Sequence, residues 1–269
     1  MGVLNLTPDS FSDGGRYDIP RRALRHAAAM VAAGADLLDL GAQSTRPGAE
    51  EVGPEQEWRR LQPVLSAVRA SQPQLPLSVD TFQPAVAEAA LAAGASWIND
   101  VRGANPDRRD PAMARLVAAS GCPYVLMHSR GDSAGMDARA VYGDVVEEVR
   151  GELLQATEAA AAAGVAAERI VWDPGLGFAK TTEQNLALLR HLDRLGAEGF
   201  PLLVGPSRKR FIGAVLDQPR PRARIWGTAA VCAHAIGQGA AVLRVHDVAP
   251  ISQIARMLAA IGSDPQEIA

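Results

Sequence analysis

The chain has 269 residues, 48% hydrophobic and 4% aromatic, with 27 basic against 30 acidic side chains and a formal charge of −3. That is enough for a full core, as one α/β barrel or two smaller domains, and the charge gives no footing for nucleic acid or an acidic membrane surface, so an anion site must be local. Cys122 and Cys232 lie far apart without metal-ligand spacing and read as reduced core thiols of a cytoplasmic protein, while no apolar run reaches membrane-spanning length and no targeting segment is visible.

Residues 1–6 form a strand-like run stopped by Thr7-Pro8-Asp9, and a polar Gly-rich loop follows to Asp18. Leu24, Ala27, Ala28 and Val31 recur at helical spacing up to Gly34. Residues 36–41 are the second strand, followed by a loop over 43–53 and a helix after Pro54 marked by Trp58, Leu61, Leu65 and Val68. Residues 75–80 are a strand, 84–93 an Ala-rich helix closed by Gly94, and 96–99 a strand. Asp110-Pro111 reads as cap and first residue of the next helix. The fifth strand is 123–127, and 130–140 reads as a mobile loop before a long helix ending at Gly164.

Ile170, Val171 and Trp172 form a buried strand that ends on Asp173, where Pro174-Gly175 stops it. A helix to Gly196, a strand over 201–205 and an apolar segment over 222–236, expected to be buried, come next. The eighth strand is 241–246, and Ile251, Ile254, Leu258 and Ile261 line a last helix before Gly262. Ala-Ala-Gly-Ala recurs at 32–35 and 92–95, each time joining a helix end to a strand, where Gly is the expected left-handed cap. Eight alternations without a composition break predict a single (β/α)8 barrel, a TIM barrel, over 1–269. A doubly wound sheet would need G-x-G-x-x-G after its first strand, which is absent.

Barrel chemistry sits at the carboxyl ends of the strands. Those ends carry Asn5, Asp39, Asp80, Asn99, His128, Asp173, Ser207-Arg208-Lys209, Arg244 and His246. Strand period two puts Arg244 and His246 on one face and Leu243 and Val245 on the other, so Arg and His point inward if Leu and Val meet the helices. A carboxylate such as Asp173 is costly to bury unless a pair of N–H donors meets it, as an arginine or an amino-substituted heterocycle presents. The segment S-T-R-P-G-A (44–49) offers hydroxyls, a guanidinium and Gly-freed backbone N–H groups that suit a phosphate or diphosphate, and Arg208-Lys209-Arg210 sits where barrels often hold phosphate.

The motifs L-N-L-T-P-D-S-F-S-D-G-G (4–15), G-A-Q-S-T-R-P-G-A (41–49), S-V-D-T (78–81), I-N-D (98–100), D-P-G-L-G-F (173–178), S-R-K (207–209) and R-V-H-D-V (244–248) span the chain nearly end to end. In this order they resemble the dihydropteroate synthase family. The resemblance implies joining of 4-aminobenzoate to 6-hydroxymethyl-7,8-dihydropterin diphosphate with loss of diphosphate. It implies that Asp80, Asn99 and Asp173 grip the pterin beside Lys209. Asn5, Thr45, Arg46, Arg244 and His246 match the diphosphate set, with Asn5 also the contact to Mg2+. Phe11, Pro47, Phe178 and Ser207 match the aminobenzoate pocket. The family further implies a homodimer. A pterin-binding methyltransferase would share the Asp and Asn residues but hold no diphosphate, so Thr45, Arg46, Arg244 and His246 favour the synthase. A non-catalytic pterin-binding paralogue has little support, because no matched position has lost its chemistry. Family members usually carry residues ahead of the first strand, whereas Met1 lies inside it here.

Overall fold

A computed structural model describes residues 1–7, 19–44, 48–108 and 110–262. The elements are β1 (Gly2–Asn5), α1 (Ile19–Ala32), β2 (Leu38–Gly41), α2 (Pro54–Ser71), β3 (Leu77–Asp80), α3 (Pro84–Ala92), β4 (Trp97–Asp100), α4 (Ala112–Ser120) and β5 (Tyr124–Met127). They continue with α5 (Val145–Ala162), β6 (Ile170–Asp173), α6 (Thr182–Arg190), α7 (Leu192–Gly196), β7 (Leu203–Val204), α8 (Arg210–Val215), α9 (Ile225–Gly237), β8 (Val242–Leu243) and α10 (Val248–Gly262).

β1 to β6 pair in sequence order, all parallel, and β7 pairs with β8. Single bridges, Trp172 to Leu202 and Gly2 to Val245, join the two sheets on both sides and close an eight-stranded barrel. The amide of Val3 donates to Val245 O at 2.9 Å and that of Val245 to Met1 O at 3.0 Å, so the seam between β1 and the end of β8 is hydrogen-bonded.

Side-chain alternation along each strand builds two apolar layers. Leu38, Leu40, Leu77, Val79, Ile98, Leu126, Ile170, Trp172 and Val204 face the helices. Leu37, Val125, Val171 and Leu203 fill the barrel below the mouth. Trp172 illustrates the outer layer: its indole N–H donates to Thr157 Oγ1 on α5 at 2.8 Å, and its ring stacks on Phe200. One residue on, the same alternation turns Asp173 inward.

The helix ends follow local chemistry. Gly34 and Gly94 adopt φ of 97° and 100°, the left-handed closure expected of the repeated Ala-Ala-Gly-Ala. Asp144 caps α5 through the amides of Val146 and Glu147, and Thr181 with Gln184 forms a capping box on α6.

Three local expectations are corrected. Pro111 takes the N-cap position and α4 begins one residue later; Asp110 still accepts the Ala112 amide at 2.9 Å. Residues 130–140 are tied down: Met136–Arg139 is a 3-10 turn, Asp132 accepts from Ala134 and Gly135, and Arg130 is paired with Glu148 and Glu152. The segment 222–236 is not buried all round. α9 lies on the outside of the barrel with Thr228, Ala229, Cys232 and Ala235 inward, and Trp226 is 79% exposed.

Candidate active site

Strand register brings the polar ends together at the carboxyl face. Asp39 pairs in register with Ser78, and Gly41 with Asp80, so Asp39 sits one layer deeper than Asp80. Asp80 pairs with Asn99 on β4, on the same inward face. Asp100, one residue on, faces outward and accepts from Tyr124 Oη at 2.8 Å and Arg108 Nη1 at 2.5 Å.

Arg244 spans the mouth. Its Nε donates to Asp39 Oδ2 and its Nη2 to Asp80 Oδ2, each at 2.6 Å. The inward Arg predicted from strand alternation therefore meets two carboxylates. Asn99 Nδ2 donates to the same Asp39 oxygen at 3.2 Å. Asp39 Oδ1, Asn99 Oδ1 and Ser78 Oγ are buried without a hydrogen-bond partner. Of these, Asn99 Oδ1 lies in the layer of Asp80, where an unmet acceptor suits an N–H donor from a heterocycle. Burial pushes the Asp80 carboxyl well above the usual range, Arg244 pulls it back, and Asp39 pushes in the same direction as burial. The sequence reading placed Asp39 among the polar strand ends but gave it no role in the site; an Asp on the inner face of an otherwise apolar strand was the available signal.

Asp173 closes the opposite wall. It is 3% exposed, and its Oδ1 accepts from the Gly175 amide at 2.7 Å. Burial raises its carboxyl pKa, with the Lys209 charge the largest opposing influence. Lys209 is half-buried, donates to Leu176 O, and lies 4.8 Å from the centroid of the Phe178 ring. Burial brings its ammonium down to about 8, against the attraction of Asp173.

The third cluster lies where β1 meets the end of β8. Asn5 Nδ2 is 3.3 Å from His246 Nε2, and His246 Nδ1 is 3.0 Å from Ser207 Oγ. With the amide nitrogen as donor, Nε2 accepts and Nδ1 carries the proton toward Ser207. The Ser207 hydroxyl also takes the His246 backbone amide at 3.1 Å. This use of Asn5 Nδ2 leaves the side-chain carbonyl for a cation. Magnesium takes one or two protein oxygens together with substrate phosphate and water. Among the described residues no group of three or more His, Cys, Asp and Glu forms a metal cage. One amide oxygen at the barrel mouth fits the sparse protein ligation that magnesium uses.

The basic run at 208–210 divides. Arg208 turns to Asp247, with bonds of 2.9 and 2.6 Å, and Arg210 pairs with Asp137 at 2.8 Å. Only Lys209 enters the mouth. Asn5, Asp80, Asn99, Asp173, Phe178, Ser207, Lys209, Arg244 and His246 are thus distributed over the rim, while Phe11, Thr45, Arg46 and Pro47 lie outside the described residues. The root of the second loop is anchored, since Gln43 accepts the Val52 amide at 2.9 Å and donates to Glu50 O at 3.3 Å.

A barrel whose mouth sets buried Asp and Asn acceptors beside cations matches the family described as pterin binding enzyme, which covers residues 1–246, and the chain belongs to that family. Similar members of it include dihydropteroate synthases. The enzyme of that name from Synechocystis is 47% identical over 261 residues, covering 97% of this chain and 89% of its own. The Xanthomonas albilineans dihydropteroate synthase, solved with 4-aminobenzoic acid, superposes with a TM-score of 0.91 at 44% identity, covering 98% of this chain and 93% of that one. The Yersinia pestis enzyme, solved as a sulfonamide drug complex, gives 0.90 at 40% identity over 98% and 94%.

Proposed function

We infer that the chain catalyses the dihydropteroate synthase reaction of folate biosynthesis: 4-aminobenzoate and 6-hydroxymethyl-7,8-dihydropterin diphosphate give 7,8-dihydropteroate and diphosphate. The observation that carries the site assignment is the convergence of Asp80, Asn99, Asp173, Lys209 and Arg244 on one barrel mouth. Asp173 and Asp80 accept the amino and ring N–H groups of the pterin, Asn99 offers its unmet Oδ1, and Lys209 lies beside Asp173. Arg244 and His246 meet charge developing on the departing diphosphate, with Thr45 and Arg46 of the second loop completing that subsite. Asn5 would hold magnesium, which when bound neutralises charge on the leaving group.

No protein nucleophile is needed. The bond from the pterin methylene to the diphosphate oxygen breaks with its electron pair leaving on oxygen, and the electron-rich pterin delocalises the cation. Carboxylates around the ring favour that electron-poor state. The amine of 4-aminobenzoate then attacks the methylene and loses a proton. Phe178 and Ser207, with Phe11 and Pro47 on the two early loops, form the aminobenzoate pocket.

The protein acts as a homodimer in the cytoplasm. Val215 on α8, Leu216 at its end and Trp226 on α9, which are 56%, 51% and 79% exposed, supply an apolar face for the partner copy. Cys122 and Cys232 are both buried and unpaired, in keeping with a reducing compartment. No helix among the described residues is long and apolar enough to cross a membrane. The deciding experiment is product formation by purified protein: 7,8-dihydropteroate should form only when the pterin diphosphate, 4-aminobenzoate and magnesium are all present. Failure to form it from the three together would refute the assignment. Sedimentation of the wild type and Trp226→Asp tests the dimer.

A further inference from the structure

Lys180 closes the loop after β6 and is 7% exposed. Its nitrogen donates to the carbonyls of Gly175 and Phe178, at 3.1 and 2.9 Å, and lies 2.8 Å from Nδ1 of His128. His128 is fully buried after β5, with Nε2 2.8 Å from Glu152 Oε2 on α5. With the Lys180 nitrogen as donor, Nδ1 accepts and Nε2–H faces the Glu152 carboxylate, which Arg130 also holds, while burial draws the Lys180 pKa well below its ordinary value against the attraction of Asp173. Burial, reinforced by the Lys180 charge, keeps the imidazole neutral down to about 4.

The backbone around this nitrogen is tightly wound. Gly175, Gly177 and Ala179 have φ of 65°, 77° and 49°, and Ala179 adopts this left-handed conformation with a Cβ. A Cβ on Gly175 would come within 1.8 Å of the His128 carbonyl oxygen, so the loop rests directly on the end of β5. This winding aims the carbonyls of residues 175 and 178 at one buried point. Such acceptors need a donor there, and the Lys180 nitrogen occupies the point. On the outer side Asn185 accepts the Gly177 amide at 2.6 Å.

The same loop presents three features of the mouth. The Gly175 amide fixes Asp173, the Leu176 carbonyl seats Lys209, and Phe178 supports the Lys209 ammonium. We propose that Lys180 is a positioning residue for the reaction, setting from inside the loop conformation that presents Asp173, Phe178 and the seat of Lys209, with His128 and Glu152 holding it from behind. It touches no substrate. The proposal rests on Asp173 being a pterin contact.

The test uses the full chain. Lys180→Met fills similar volume without the donors. It should weaken binding of a pterin analogue at least about tenfold by calorimetry and accelerate amide exchange at 175–178 by a similar factor. Amides of β5 and β6, such as Val125 and Val171, should keep their wild-type exchange. Loosening of those strands along with the loop would mean a general structural role and overturn the proposal. Asp173→Asn is measured in parallel. Weak binding by D173N with normal binding by K180M overturns the inference alone; normal binding by D173N overturns the pterin reading of Asp173, and the proposal with it. Should K180M fail to fold, Glu152→Gln leaves the lysine in place and removes the carboxylate behind His128. Faster exchange at 175–178 with weaker pterin binding then supports the proposal, and no change in either overturns it.

Discussion

The guanidinium of Arg244 meets the carboxylate of Asp80 at 2.6 Å across the barrel mouth, joining residues 164 positions apart. The Nε of the same guanidinium donates to Asp39, whose carboxylate is fully buried. Arg244 is therefore held by Asp39 from the deeper layer and by Asp80 at the mouth. A pterin that takes Asp80 as acceptor leaves Arg244 still oriented by Asp39. Removing the cation strands two carboxylates. Arg244→Ala should cost about 3–5 kcal/mol of stability, the range for breaking a buried pair from one side. Adding Asp39→Asn should recover part of that stability and none of the activity. Urea denaturation of the single and double variants measures it; a single variant as stable as wild type would show that the pairs are not coupled to folding.

Asp173→Asn should weaken pterin binding by roughly 2–4 kcal/mol, the cost of replacing a charge-assisted acceptor in a closed site. Its carboxylate already accepts the Gly175 amide through Oδ1, so the substitution disturbs one bond to the loop as well as the ligand contact. Calorimetric titration of a pterin analogue into both proteins decides it. Equal affinities would remove Asp173 from the site.

Lys209 sets a pH limb. Its ammonium is brought down to about 8 by burial, so its charge is lost from the free enzyme as pH rises through that value. The apparent kcat/KM for the pterin diphosphate should fall above about pH 8. Lys209→Arg should move the limb upward and Lys209→Met should abolish it. The stability effect has the opposite sign: between about 8 and the ordinary lysine value near 10.4 the unfolded chain binds more protons, so folding gains as pH rises. A kcat/KM profile that is flat to pH 9.5 in the wild type would rule out a charge role for Lys209.

Sulfonamides should compete with 4-aminobenzoate, whose aromatic amine and para acidic group they match. Phe178 and Ser207 stand on the wall proposed for that ring, and the Yersinia pestis relative was solved with such a drug. Initial rates at several concentrations of each compound test this. Inhibition that added 4-aminobenzoate cannot relieve would place the drug elsewhere.

Much of the barrel was legible without coordinates. The Ala-Ala-Gly-Ala joints, the Asp ending a buried apolar run at 173, and the alternation that turned Arg244 inward depend on local periodicity and on glycine conformation, both carried by neighbouring residues. Partner choice is not local. That Arg244 would meet both Asp39 and Asp80 depended on the parallel register of β2 with β3 and on barrel closure through Val3 and Val245. Sequence spacing made 208–210 one basic cluster, but Arg208 turns to Asp247 and Arg210 to Asp137, because distant carboxylates lie on either side of Lys209. The exposure of Trp226 likewise came from the side on which α9 packs, since a helix that is apolar all round does not specify which face is covered. The role of Lys180 emerged only from the wound loop, where φ values and converging carbonyls created a buried point that one nearby amine could fill.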